Sequence, residues 1–133
     1  MLSITRDAVD RILEDARARA PEECCGVLLG TADRIADVHP ARNAAERPTA
    51  RFVIDPRDHF AAIRDGRERG LSVVGFYHSH PRSAAVPSET DRAEAAYPDQ
   101  LFLIVSLAAP DPDLRLYRFT DGNFLEVPFV RVD

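Results

Sequence analysis

His78 and His80 stand two apart in "GFYHSHPRSAAVPSETD", residues 75–91, at the end of an apolar run. On extended backbone, residues i and i+2 project to the same side, so two imidazoles so placed can bind one metal ion. Pro81 restricts the chain where it leaves the run. Asp91, eleven positions after His80, can return a carboxylate as a third ligand. Three N/O protein ligands with an open fourth position are the donor set of a catalytic zinc site rather than a closed structural one. A water in that position ionises near pH ~7 instead of ~15.7, so hydrolysis is the chemistry to expect. Such a water also needs a base beside it. Glu22 and Glu23 enter the next apolar run upstream, and Glu23 is favoured because it opens the "ECCG" segment, whose strand can lie beside the histidine strand. Ser88 can donate a hydrogen bond to a developing oxyanion. Ser88 and Asp91 also have the spacing of a capping box, and the two readings can coexist.

The elements that must position these residues follow from periodicity and punctuation. Ala8, Val9, Ile12, Leu13 and Ala16 mark one helical face, with Thr5 as N-cap and Pro21 as stop. "CCGVLLG" reads as a buried strand, "RIADVHPARN" as a second, and "RFVID" as a third, short one. A helix then starts at the Asp55-Pro56 cap and ends at Gly70, its apolar face containing Phe60 and Ile63. "LSVVGFYHS" is the strand that carries the histidines. "SETDRAEAAYP" predicts a short helix closed by Pro98. "QLFLIVSL", "DLRLYRFTDG" and "NFLEVPFVRV" complete the strands, with "TDGN" a hairpin turn. Helices and strands in alternation predict one α/β domain, residues 1–133, with a mixed sheet covered by helices. The last segment is a candidate exposed edge, and oligomeric state, monomer or homodimer, is left open.

Composition narrows the function classes. Of 133 residues, 45% are hydrophobic and 29% charged, the balance of an ordinary globular domain. The net charge of -5 argues against nucleic acid as main partner. No apolar stretch is long enough for a membrane span, and no signal-peptide pattern opens the chain, so a cytoplasmic protein is expected. All 17 basic residues are Arg, which fits a bias in codon usage. Cys24 and Cys25 are adjacent. They provide neither a disulfide framework nor a CxxC zinc site, and on a strand one could be buried while the other looks toward a cleft.

Glu23, His78-Ser79-His80-Pro81 and Ser88-Glu89-Thr90-Asp91 together resemble the JAMM/MPN+ metalloprotease family, whose pattern is an upstream Glu, then H-S/T-H-P, then S-x-x-D. The resemblance extends over nearly the whole chain. "PEECCGVLLG" is similar to the family's first strand, "VVGFYHSHP" to its metal-binding strand, and "NAAERPTARFVIDP" to its small bacterial single-domain branch. The resemblance implies a curved mixed sheet flanked by helices, in the three-layer, cytidine-deaminase-like MPN arrangement. It further implies one Zn²⁺ held by His78, His80 and Asp91, with a catalytic water. Glu23 would then be general base, and Ser88 would steady the tetrahedral intermediate. The implied reaction is hydrolysis of a peptide or isopeptide bond at the C-terminal Gly-Gly of a ubiquitin-like or sulfur-carrier protein, including release of cysteine in sulfur transfer. Removal of ubiquitin-like tags and cleavage of a cell-wall or phage-type cross-link fit the same site. Two other readings stand beside it: a catalytically silent MPN-type module that binds a protein partner, and an H-x-H nucleotide hydrolase. Arg at position 82, where the latter needs a third histidine, argues against it.

Overall fold

The computed structural model describes residues 1–94 and 99–133, the side chains of 92–94 excepted. Its centre is an eight-stranded mixed sheet. The strands are β1 (Leu2–Thr5), β2 (Cys25–Thr31), β3 (Arg34–Ala41), β4 (Ser72–His80), β5 (Leu101–Ser106), β6 (Asp113–Thr120), β7 (Asn123–Val127) and β8 (Phe129–Val132), in the spatial order β7-β6-β5-β4-β2-β3-β1-β8. The helices are α1 (Arg6–Arg19), α2 (Pro56–Glu68) and α3 (Glu89–Glu94).

Both long helices form where expected. The Thr5 side chain accepts the Ala8 amide at the start of α1, and the Asp55 side chain accepts the Arg57 amide at the start of α2, with Pro at the head of that helix. Alternation along the strands sends side chains to two layers. On one face Leu28, Ile35, Tyr77, Leu103 and Val105 pack with Ala8, Val9, Ile12 and Ala16 of α1. On the other, Val27, Leu29, Phe76 and Phe102 pack with Ala62 of α2. Each large apolar side chain so buried contributes about 1.5–3 kcal/mol. β4 lies between β2 and β5; it is buried from Gly75 to His80, which is why its sequence reads as a continuous apolar run.

Several sequence expectations need correction. Leu2–Thr5 is a strand, too short to show a period, and it pairs in parallel with both β3 and β8. "NFLEVPFVRV" is two strands on opposite edges of the sheet, β7 beside β6 and β8 beside β1; Pro128, which has no N–H to give a ladder, lies between them. "RFVID" is not a strand: only an isolated bridge, Asn43 to Ile54, forms there. α2 does not bury Phe60 and Ile63, which are 71% and 38% exposed; the small residues Ala62 and Gly66 face the sheet. Cys24 and Cys25 are both buried, and neither looks toward a cleft. Pro98, the expected helix stop, lies outside the described residues. Among the described residues, no helix is long and apolar enough to cross a membrane.

Candidate metal centre

The site is built by one strand pairing. β2 runs antiparallel to β4, with Cys25 opposite His78, so the entry to β2 meets the exit of β4. Just outside the ladder the Ser79 amide donates to the Cys24 carbonyl at 3.1 Å, and the Cys24 amide donates to Ser79 Oγ at 2.8 Å. Ser79 therefore staples the segment that carries Glu23 to the segment that carries the histidines. Tyr77, on the opposite face, donates its hydroxyl to Asp15 Oδ2 at 2.8 Å. That leaves His78 and His80 together on the other side of β4.

Asp91 arrives from the first turn of α3. The Ser88 amide donates to Asp91 Oδ2, and the Asp91 amide donates to Ser88 Oγ, both at 2.9 Å. This is the reciprocal capping box, and it aims the carboxylate while satisfying two backbone donors. The same Oδ2 lies 3.1 Å from His78 Nε2 and 3.0 Å from His80 Nε2, and the two ring nitrogens are 3.2 Å apart. Three donor atoms thus form a nearly equilateral triangle. Ligands ~2.0–2.1 Å from a tetrahedral metal lie ~3.3 Å from one another, so the triangle has the size that a bound metal requires.

The protonation pattern supports this fit. His80 Nδ1 donates to the Ala84 carbonyl at 2.7 Å, which places the proton of the neutral ring there and leaves the Nε2 lone pair facing the centre. A lone pair facing a carboxylate oxygen at 3.0 Å calls for a cation between them. Burial disfavours charging His80, but its bonds to Asp91 and Ala84 outweigh burial and raise its pKa. Full burial lowers His78, against the pull of Asp91. Burial also opposes the charge on Asp91, yet the bonds from His78 and His80 hold its carboxyl well below the usual range.

Glu23 completes the group: one donor atom from each of Glu23, His78, His80 and Asp91 lies within 4.8 Å of the others. Its Oε1 is buried and has no hydrogen-bond partner among the described residues. Burial lifts the Glu23 carboxyl to about 7, opposed by the His80 charge and assisted by that of Asp91. An unpartnered buried carboxylate oxygen is costly unless a ligand group meets it. Beside it opens a cleft of about 310 Å³ lined by Pro21, Glu23, Thr49, Ala50, His80 and Arg82 among others.

The profile of one protein family, the prokaryotic homologs of the JAB domain, matches residues 5–120. The chain belongs to this family. Members and relatives similar to this JAB-type chain include the desampylase of Haloferax volcanii, 39% identical over 95% of this chain and 93% of that one. The CysO-cysteine peptidase of Mycobacterium tuberculosis is 35% identical over 96% and 89%. The solution structure of a protein from Desulfitobacterium hafniense superposes with a TM-score of 0.90, at 31% identity, covering 100% of this chain and 94% of that one. The curled mixed sheet with helices on both faces is thus the fold that the JAB-type resemblance implied.

All five residues singled out from the sequence, Glu23, His78, His80, Ser88 and Asp91, lie at this one place. Sequence reasoning missed the supports around them. Phe52 stacks on His78, with ring centroids 4.4 Å apart and planes at 21°, and Asn43 holds the loop that carries Phe52. Both letters occur in the stretch that resembles the small bacterial branch, but no local pattern points from them to the site. Of the two remaining histidines, His59 packs edge-on against Phe76 and His39 Nδ1 lies 3.6 Å from Asp65; neither joins the cluster.

Proposed function

We propose that this JAB-type chain is a zinc-dependent peptidase or isopeptidase. In this reading it cleaves the bond at the C-terminal Gly-Gly of a ubiquitin-like or sulfur-carrier protein, and residues 1–133 act as one domain. The carrying observation is the triangle of His78 Nε2, His80 Nε2 and Asp91 Oδ2 with a Glu23 carboxylate oxygen within 4.8 Å of it. The names of the desampylase and the CysO-cysteine peptidase, relatives matched over nearly their whole length, support the substrate class. A cytoplasmic setting belongs to the same reading, consistent with two free, buried thiols.

His78, His80 and Asp91 would hold the zinc. When bound, zinc supplies an acidified water and a polarised carbonyl. The Glu23 carboxylate takes a proton from the attacking water and delivers it to the amine nitrogen as the C–N bond breaks, so the products are a carboxylate and a free amine. Ser88 Oγ accepts from the Asp91 amide, and its own O–H is left to donate to the oxyanion. His80, held by the Ala84 carbonyl, keeps its ring orientation throughout. A silent binding module would have no use for a buried carboxylate within 4.8 Å of three metal-competent donors.

The test is Glu23→Gln, assayed on a carrier protein extended beyond its Gly-Gly. We expect about one zinc per chain, as in wild type, with cleavage reduced by a factor of ~10²–10⁴. Wild-type turnover in this variant would remove Glu23 from the mechanism, and a wild-type protein that holds no zinc after reconstitution would overturn the reading as a whole.

A further inference from the structure

The segment between β3 and α2 has no strand partner, yet it forms part of the cleft wall through Thr49 and Ala50. One side chain makes five of the hydrogen bonds that hold it. Asn43 Nδ2 donates to the carbonyls of Glu23 and Arg51, each at 3.0 Å, and reaches that of Pro48 at 3.4 Å. Asn43 Oδ1 accepts from the amides of Ala45 and Val53, each at 3.0 Å. An amide side chain has two N–H donors and two lone pairs, so Asn43 is used to capacity, with one donor shared. Its partners are all backbone. The side chain does for loop 44–53 what a neighbouring strand would otherwise do, and the loop is closed at its base by the Ala44 amide on the Val53 carbonyl at 2.7 Å.

Two ends of this arrangement touch the metal centre. Glu23 is gripped on both sides of its backbone: its carbonyl accepts from Asn43, and its amide donates to the Pro48 carbonyl at 2.7 Å. Phe52 lies between Arg51, whose carbonyl Asn43 holds, and Val53, whose amide Asn43 accepts, and its ring covers His78. His78 Nδ1 is buried without a hydrogen-bond partner among the described residues. His80 has a carbonyl to hold its ring; among the described residues, His78 has the Phe52 face and its Nε2 neighbours.

We propose that Asn43 is a positioning residue for the reaction. Its amide joins the entry of β2 to loop 44–53 as one unit, and through that unit sets the direction of the Glu23 carboxylate and the plane of the His78 ring. The inference rests on the reading of Glu23 as base and His78 as ligand. It also has a consequence independent of turnover. A ring stacked at 4.4 Å shields the His78 protons, so their NMR signals report whether loop 44–53 is in place, with or without metal.

The experiment compares the full chain with Asn43→Ala and Asn43→Asp. The Asp variant keeps both acceptor bonds but loses all three donor contacts. Val9→Ala, a truncation in the core against α1, serves as a control for general destabilisation. In both Asn43 variants we expect about one zinc per chain, kcat reduced by ~30- to 100-fold with KM changed less than ~3-fold, and the shielding of His78 lost while the His80 signals stay. Val9→Ala should lower Tm and leave kcat and the His78 signals as they are. A folded Asn43→Ala with wild-type kcat and unchanged His78 shielding overturns the proposal. Collapse of both Asn43 variants at the assay temperature would also overturn it, by making Asn43 a determinant of the fold as a whole. If wild type itself neither binds zinc nor cleaves, the functional reading fails, and the His78 signals of the metal-free proteins still decide whether Asn43 positions that ring.

Discussion

Ser88 Oγ accepts the Asp91 amide while Asp91 Oδ2 accepts the Ser88 amide, so one residue pair is both a helix start and part of the proposed metal site. The sequence allowed the two readings to coexist, and the geometry makes them one device: the capping box orients the carboxylate that faces the histidines. Ser88→Ala removes the acceptor and the candidate oxyanion donor together. We expect a loss of about 0.5–2 kcal/mol of stability, seen as a lower urea midpoint with an unchanged slope. A ~10²–10³-fold fall in kcat at full zinc occupancy should accompany it. A stability loss without the kinetic one would leave Ser88 as a cap only. The adjacent cysteines settle in the other direction. Burial pushes the Cys25 thiol up to about 12 and Cys24 higher still, so neither is a nucleophile at neutral pH.

Among the elements, β2 bears the tightest constraints. Gly26 lies opposite Tyr77 in the ladder, and a Cβ there would overlap the Tyr77 ring. Tyr77 cannot retreat, because it is fully buried and its hydroxyl is held by Asp15. Gly26→Ala should therefore destabilise by about 1–3 kcal/mol and, by shifting β2 against β4, loosen the zinc. A thermal melt and a chelator competition measure the two effects. On the outer side of β3, Asp37 accepts from Arg69 at 2.7 Å, from the Val38 amide at 2.8 Å, and from Arg11. Burial raises its carboxyl, but those bonds outweigh burial and hold it below the ordinary value. A lowered folded pKa means stabilisation that is present above the unfolded value of ~3.9 and is lost as pH falls through the folded one. Asp37→Asn should then reduce stability by about 1 kcal/mol at pH 7 and flatten the acid limb of the stability profile. An acid limb identical to wild type would assign that limb to other carboxyls.

For the molecule as a whole, zinc bound at the proposed site would link metal binding to folding. The buried donor set exists only when β2, β4 and α3 are assembled, so an ion held there stabilises the entire fold. At free zinc one hundred times its dissociation constant the gain is about 2.7 kcal/mol, or roughly 10 °C in Tm for a chain of this size. His78→Ala should abolish that zinc-dependent rise and also lower the metal-free Tm, since it removes a fully buried ring stacked on Phe52 and bonded to Asp91; the readout is therefore the zinc-dependent difference within each protein. A rise of the same size in the variant would place the stabilising zinc elsewhere.

Read alone, the chain determined the parts whose signals are local or chemically specific. The caps of α1 and α2 and the buried runs of β2, β4 and β5 were legible, because capping and alternation are properties of neighbouring residues. Glu23, His78, His80, Ser88 and Asp91 were singled out from spacing together with a family resemblance, and the structure brings them to one place. It did not reveal that Leu2–Thr5 is a strand, that Pro128 divides two strands on opposite edges, or that 51–55 is not a strand. Those outcomes depend on which strands are available as partners. Nor did it show Asn43 and Phe52 at work on the site. A side chain that bonds five backbone groups, and a ring that covers a histidine 26 positions away, acquire their roles only when β2 and β4 bring Glu23 and His78 together. Spacing along the chain carries the ligands, and the tertiary structure decides what holds them still, because orientation in a buried site is set by contacts between segments remote in sequence.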